Sequence, residues 1–259
     1  MKPLRAFAVL FGLLAASNFL KPITADEHTG FVFLGRRLAE TPNLIAGVAF
    51  GVFLSWYALS LWRERASALP LGIAYACYVS ANLFLFTLRQ PAPTGNARLF
   101  GALYMIFALG GAWGAVAVMV RSGLGNLERA PGRILLRSFA LLFALMALSD
   151  LLKPFAYTPE VGFVFFGQRL AGSANTIVAL VFSGLLAAYA VSIWNEKRLA
   201  LMLGIGYAIY VIANLVLWNF RKPEGADAPL IFALPYILSA VGVSSGAAYL
   251  LWQHRERLD

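Results

Sequence analysis

The chain has 259 residues, of which 60% are hydrophobic and only 13% are charged. Soluble globular domains average about 45–50% apolar and about 25% charged residues, so the composition excludes an ordinary water-soluble enzyme and a disordered chain. The net charge is +9, but the basic residues lie singly or in small groups between long apolar runs. That pattern is typical of membrane flanks that contact lipid headgroups, and it does not favour a nucleic-acid partner.

Eight apolar runs follow one another along the chain. They lie near 4–22, 42–62, 68–88, 99–120, 135–153, 174–194, 199–220 and 230–252. A helix of about 20 residues crosses the hydrocarbon core, and helices satisfy their own backbone there. The runs therefore predict an all-α polytopic membrane protein with eight transmembrane helices. The first run resembles a secretory signal peptide, but its counterpart deep inside the chain favours its retention as a helix.

The two halves of the chain are copies of one another. Residues 5–118 align without a gap on residues 137–250, with 49 identities in 114 positions, where composition alone gives roughly one in twelve. We predict a first four-helix repeat over 1–125, a cytoplasmic linker over 126–136 and a second repeat over 137–259. An even number of spans per repeat gives both halves the same orientation, so we expect a tandem 4+4 parallel repeat with a pseudo-two-fold axis along the membrane normal.

The distribution of basic residues predicts which side of the membrane the loops occupy. With both termini in the cytoplasm, the inner segments carry 12 Lys and Arg residues and the outer segments carry 9. The positive-inside rule favours this orientation, although the outer loops hold an unusual number of cations. We therefore predict an integral protein of a bacterial-type inner membrane with both termini cytoplasmic.

A polar stripe runs along the third span of each half. Its residues are spaced by 3, 4 and 7 positions and fall within an arc of about 60° on a helix. Such side chains either hydrogen-bond neighbouring helices, at about 0.6–2 kcal/mol each, or line a solute crevice between the two repeats. The candidate ligand-binding residues are Tyr75, Tyr78, Asn82 and Arg89, and their counterparts Tyr207, Tyr210, Asn214 and Arg221.

Cations kept in both halves form a second candidate site on the outer face. Besides Arg89 and Arg221 they are Lys21, Arg37, Lys153 and Arg169. They are expected either to bind an anion, such as a phospholipid headgroup or an organic anion, or to extend separately to ordinary headgroups. Asp150, which replaces Asn18 of the first half, is expected to pair with Lys153 at the membrane interface.

Two further motifs recur. The loop GFVFxGxRL occupies 30–38 and 162–170, and we expect it to enter the outer interface as an amphipathic hairpin or short helix, or to belong to an aromatic belt. The fourth span of each half carries a GxxxG motif, which permits close helix packing within the chain, in a homo-oligomer or in a membrane complex. These glycines are Gly110, Gly114, Gly242 and Gly246.

The chemistry-bearing residues are too few to predict catalysis. The chain has one cysteine and two histidines, and it contains none of the common nucleotide-binding, metalloprotease or hydrolase motifs. No cofactor, metal or enzymatic activity is therefore predicted. The sequence favours a transporter or channel for a small solute or organic anion, with a non-catalytic membrane scaffold or accessory subunit as the alternative.

Overall fold

The computed structural model describes residues 3–24, 30–89, 96–124, 131–156, 162–222 and 230–259. Within these residues seven helices are long and apolar enough to cross a membrane. An eighth helix has 24 residues and no charged side chain. The predicted helical, polytopic membrane protein is confirmed at this level. The fold differs from an all-α one in two short antiparallel strand pairs.

The elements follow the predicted apolar runs closely. The first four helices are α1 (Pro3–Thr24), α2 (Glu40–Trp62), α3 (Ala68–Arg89) and α4 (Asn96–Arg121). The last four are α5 (Pro131–Ala156), α6 (Gly172–Trp194), α7 (Arg198–Arg221) and α8 (Leu230–Gln253). Strands β1 (Val32–Phe33) and β2 (Arg36–Arg37) pair between α1 and α2, and strands β3 (Val164–Phe165) and β4 (Gln168–Arg169) pair between α5 and α6.

The chain divides into two compact units, Met1–Ile134 and Leu135–Asp259. Of the predicted linker 126–136, residues 126–130 lie outside the described part, and the remainder belongs to α5, which begins at Pro131. The boundary between the units thus falls in the first turn of a helix rather than in a loop. The two-fold relation between the repeats and the sidedness in the membrane stay predictions.

Each unit is built from helices that pack against their neighbours in sequence. In the first unit α2 and α4 each contact both α1 and α3. In the second unit α7 contacts α6 and α8, and the ring of Phe143 on α5 packs on Tyr189 of α6. Because consecutive helices alternate in direction, the ends of α1 and α3 and the start of α2 share one end of the first unit. We call this the hairpin end, and the same end of the second unit has the same name.

Two predicted helix ends are different in the structure. A proline such as Pro22 or Pro154 can stop or kink a helix, but α1 continues to Thr24, and α5 continues to Ala156 with Pro154 inside it. A proline so near a helix end removes one backbone hydrogen bond, and little helix remains beyond it to be displaced.

The second and sixth helices end in Schellman motifs. Arg65 N donates to Ser60 O, and Glu64 N donates to Leu61 O, with Glu64 in the left-handed conformation at φ 49°. By helical spacing Glu64 would share the face of Asn43 and Tyr57, but it lies beyond the end of α2 at Trp62.

Candidate functional site

The repeated loop forms a β-hairpin in each unit, here named the first hairpin (30–38) and the second hairpin (162–170). Two residues, Leu34 and Gly35, connect β1 to β2, and both have positive φ, 46° and 77°. Positive φ at both central residues defines the type I′ turn that suits two-residue hairpins. Phe166 and Gly167 repeat this geometry at 45° and 74°.

Glycine is required where each hairpin closes and where it turns. A Cβ at Gly30 would overlap the carbonyl of Leu38, which closes the strand pair. A Cβ at Gly35 would lie 2.6 Å from the backbone carbon of Leu85, because the turn rests directly on α3. Gly162 and Gly167 meet the equivalent atoms of the second unit, so the identity of these glycines in both halves has a steric cause.

The polar stripe of α3 binds the backbone of the first hairpin. Asn82 Oδ1 accepts from Gly35 N at 2.8 Å, and Asn82 Nδ2 donates to Val32 O at 3.2 Å. Tyr78 Oη donates to the same Val32 carbonyl at 3.3 Å. In the second unit Asn214 accepts from Gly167 N at 2.9 Å and donates to Val164 O at 3.2 Å, and Tyr210 donates to Val164 O at 3.4 Å.

The first turn of α2 holds the other side of the hairpin. Asn43 Oδ1 accepts from Phe31 N at 2.8 Å, and Asn175 Oδ1 accepts from Phe163 N at 2.7 Å in the second unit. The base of each hairpin is closed by Leu38 N donating to Phe31 O and by Leu170 N donating to Phe163 O. Side chains from two helices therefore satisfy the backbone groups that the short strand pair leaves unpaired.

The hairpins lie beside the membrane helices rather than beyond them. Asn82, which holds both Val32 and Gly35, is seven residues before the end of α3 at Arg89, or about 10 Å along the helix axis. Phe33 is 2% exposed and Phe31 is 5% exposed. Non-helical backbone at such a depth is tolerated only where protein satisfies its polar groups, and the asparagines and tyrosines do this.

The predicted cations gather around the hairpins. Lys21 Nζ lies 4.9 Å from the ring centroid of Phe31, and Lys153 Nζ lies 4.3 Å from that of Phe163. Arg89 Nη1 donates to Leu34 O at 2.6 Å, and Arg221 Nη1 donates to Phe166 O at 3.0 Å. The lysines thus contact the base of a hairpin, and these arginines contact its turn.

The remaining pair of predicted cations belongs to the hairpins themselves. The Arg37 guanidinium carbon lies 5.8 Å from the ring centroid of Phe86, and that of Arg169 lies 5.3 Å from Trp218. These distances are within the range of a cation–π contact. All six cations predicted for the outer-face site therefore contact or belong to a hairpin, at equivalent places in the two units.

Asp150 forms the local ion pair that its spacing predicts. Its carboxylate accepts from Lys153 Nζ at 2.6 Å, and Asp150 is 7% exposed. The lysine therefore lies between a carboxylate and the ring of Phe163. The acid at this position serves to position Lys153, and Asn18 takes its place in the first unit.

Aromatic rings fill the interior of each unit beneath its hairpin, in what we call the aromatic file. Successive ring centroids lie 4.5–6.3 Å apart in both units, within the usual range for packed rings. In the first unit the file runs through Phe31, Phe50, Phe53, Tyr75, Phe11 and Tyr57. In the second it runs through Phe163, Phe182, Tyr210, Tyr207, Phe143 and Tyr189.

The GxxxG glycines divide into two kinds. Gly114 and Gly246 face a neighbouring helix of their own unit, since an added Cβ would lie 3.6 Å from Phe7 and 3.5 Å from Phe139. Around Gly110 and Gly242 no heavy atom of the described residues lies within 4 Å of an added Cβ. The motif therefore contributes to packing inside each unit and leaves one open glycine on α4 and one on α8.

Several residues of the site were not among the predicted ligands. Asn43 and Asn175 hold the hairpin base. The sequence does offer a sign of this role, because both halves have asparagine at this position. Phe86 and Trp218 lie under the guanidinium groups of the hairpin arginines. Comparison of the two halves does not single out this position, because one half has phenylalanine there and the other has tryptophan. Their role depends on ring geometry, which a phenylalanine and a tryptophan both provide.

Comparisons with known protein families, with curated proteins and with solved structures return no match for this chain. The helices define the class: an integral membrane protein. Within that class the hairpin held inside each four-helix unit is its particular feature.

The turn of each hairpin offers a test of backbone strain. Leucine at φ 46° is strained, whereas asparagine adopts this conformation readily. We expect Leu34→Asn to stabilise the protein by about 1 kcal/mol, as measured by unfolding in detergent. In the control variant Leu34→Val we expect lower stability than in the wild type, because a β-branched residue fits this conformation worse than leucine does. Equal stability of the two variants would contradict the type I′ turn.

Proposed function

We propose that the protein is a non-catalytic integral membrane scaffold or accessory subunit, which presents two rigid hairpins and binds lipid or partner helices. The observation that carries this proposal is that the polar stripe binds the backbone of the hairpins. Asn82 and Asn214 each use both ends of their amide on hairpin backbone. Tyr78 and Tyr210 donate their hydroxyls to the same hairpins. Polar groups engaged in this way stabilise a fold and do not solvate a moving solute.

The filled interior supports the same function. Below each hairpin the aromatic file continues to a tyrosine with 0% exposure, Tyr57 or Tyr189. A solute path through a unit would need open space along its polar groups, whereas the rings of the aromatic file pack directly against one another and its last tyrosine is fully buried. The transport function that the sequence favoured thus has less support inside each unit than the scaffold function.

The open glycines give the proposed scaffold a place for partner helices. Gly110 and Gly242 leave room for another helix to approach closely. Replacing these two glycines with leucine should prevent a partner helix from packing there, while each four-helix unit stays folded. Gly184 on α6 is a matched control, because it is also exposed and open but lacks a GxxxG partner.

Two measurements on the full-length protein test the proposal. Reconstituted into liposomes, it should carry no small anion above the rate of empty liposomes. After crosslinking in the native membrane, a stoichiometric partner, either a second copy or another chain, should be lost in the variant Gly110→Leu with Gly242→Leu and kept in Gly184→Leu. Solute flux that depends on Asn82 or Asn214 would establish transport instead.

A further inference from the structure

Two exposed arginines are anchored at each hairpin, one over a ring of the adjacent helix and one on a carbonyl of the turn. Phe86, which lies under the Arg37 guanidinium, is three residues before Arg89 on α3. Residues three apart on a helix are neighbours, with about 5–6 Å between their Cβ atoms. Arg89 donates to the Leu34 carbonyl, so the ring under Arg37 and the backbone that carries Arg89 belong to the same turn of α3.

The second unit builds the same arrangement from different residues. Arg169 lies over Trp218, which is three residues before Arg221, and Arg221 donates to Phe166 O. The ring changes from phenylalanine to tryptophan while both arginines are retained. General attraction to headgroups would accept a lysine at these positions, whereas only arginine offers a planar fork of paired N–H donors.

We propose that Arg37 with Arg89, and Arg169 with Arg221, form one phosphate-binding site in each unit. Guanidinium groups match phosphate oxygens with paired N–H donors. Both groups of a pair are already fixed by a ring or a carbonyl, so binding costs little side-chain entropy. The site rests on the proposed function, since a scaffold of this kind would fix its hairpins to the phosphate of a membrane lipid.

Nearby charges in the described residues fit an anion. The described acids at the hairpin end are Glu40 in the first unit and Asp150 in the second. Asp150 is paired with Lys153, and position 172, the counterpart of Glu40, is a glycine. Beside the pair in the second unit, Phe166 is 44% exposed at the hairpin turn. An apolar side chain next to two cations suits the boundary between lipid acyl chains and headgroups.

Native mass spectrometry of the full-length protein in detergent, titrated with phosphatidylglycerol, tests the site. The wild-type protein should bind two lipids tightly, and Arg37→Gln and Arg169→Gln should each bind one. The double variant should bind none at the same lipid concentration, because each altered site should lose affinity about tenfold or more. Arg37 and Arg169 are exposed, so these variants should keep the wild-type unfolding temperature. Arg121→Leu, an exposed cation at the opposite end of α4, is the control and should bind two.

Two further arms decide what the site recognises. If inorganic phosphate displaces the lipid at a comparable concentration, the ligand is a soluble phosphate. If phosphate at that concentration does not displace the lipid, the ligand is the lipid. Full binding by the variant Arg37→Lys with Arg169→Lys, or wild-type binding by the double glutamine variant, would overturn the proposal. Neither result bears on the scaffold function, which the liposome flux and the crosslinking of a partner test separately.

Discussion

Replacing Gly35 with alanine should destabilise the first unit by about 2–5 kcal/mol. An L-residue at φ 77° costs about 1–2 kcal/mol, and a methyl group forced against well-packed atoms costs about 1–3 kcal/mol more. The atom it meets is the Leu85 backbone carbon, 2.6 Å from the new Cβ, so no side-chain rotation relieves the overlap. Unfolding in detergent, followed by tryptophan fluorescence, measures the loss.

The matched control is Gly12→Ala in α1 of the same unit. No heavy atom of the described residues lies within 4 Å of its added Cβ, and alanine favours the helix by about 0.5–1 kcal/mol. We therefore expect this variant to be at least as stable as the wild type. Gly167→Ala should reproduce the loss in the second unit, because it turns at φ 74° against the backbone of Leu217. A neutral Gly35→Ala would mean that the hairpin does not lie against α3.

Replacing Asn82 with leucine should cost about 1–3 kcal/mol, which is the range for leaving a buried backbone group unsatisfied. The group most affected is Gly35 N, which donates to Asn82 Oδ1, whereas Val32 O still accepts from Tyr78. Asn214→Leu should have a similar effect through Gly167 N. Hydrogen exchange at the two glycine amides should rise in the respective variants, which locates the loss at the hairpin turn.

Asn219→Leu separates this effect from a general cost of removing an amide. Asn219 is exposed, and its side chain donates to Leu215 O in its own helix at 3.0 Å, so its loss should change stability by less than about 0.5 kcal/mol. If Asn82→Leu were equally mild and solute flux were altered, the stripe would serve transport. If both variants were mild and flux stayed absent, the hairpin would owe its position to its rings.

The hairpins explain why the two halves kept their particular residues. A two-residue turn buried beside membrane helices needs a glycine at positive φ, an amide that both donates and accepts, and a cation for the exposed carbonyl of the turn. Glycine, asparagine and arginine fill these three roles in each unit. Loss of the glycine creates a steric overlap, loss of the asparagine leaves the Gly35 amide unsatisfied, and loss of the arginine removes the charged donor to the turn carbonyl. Each of the three residues therefore has a structural reason to be the same in both halves.

The sequence by itself determined the membrane class, the eight helices and the internal duplication. Long apolar runs have one stable backbone state in lipid, and an ungapped match at a fixed offset needs no structure to be recognised. It also predicted the Asp150–Lys153 pair, because three residues on a helix fix that distance. The helices and the ion pair depend on neighbours along the chain, and the duplication is a match of residues at a fixed offset. A sequence displays all of these directly.

Only the tertiary structure decided what the kept polar residues contact. Asn82 and Gly35 are 47 residues apart, and Arg89 and Leu34 are 55 apart. Helical periodicity gives the face on which Asn82 lies, but it cannot say whether that face meets a solute, a helix or a hairpin. The partner is backbone, whose N–H and C=O groups are the same at every residue, so no side-chain pattern in the sequence marks it.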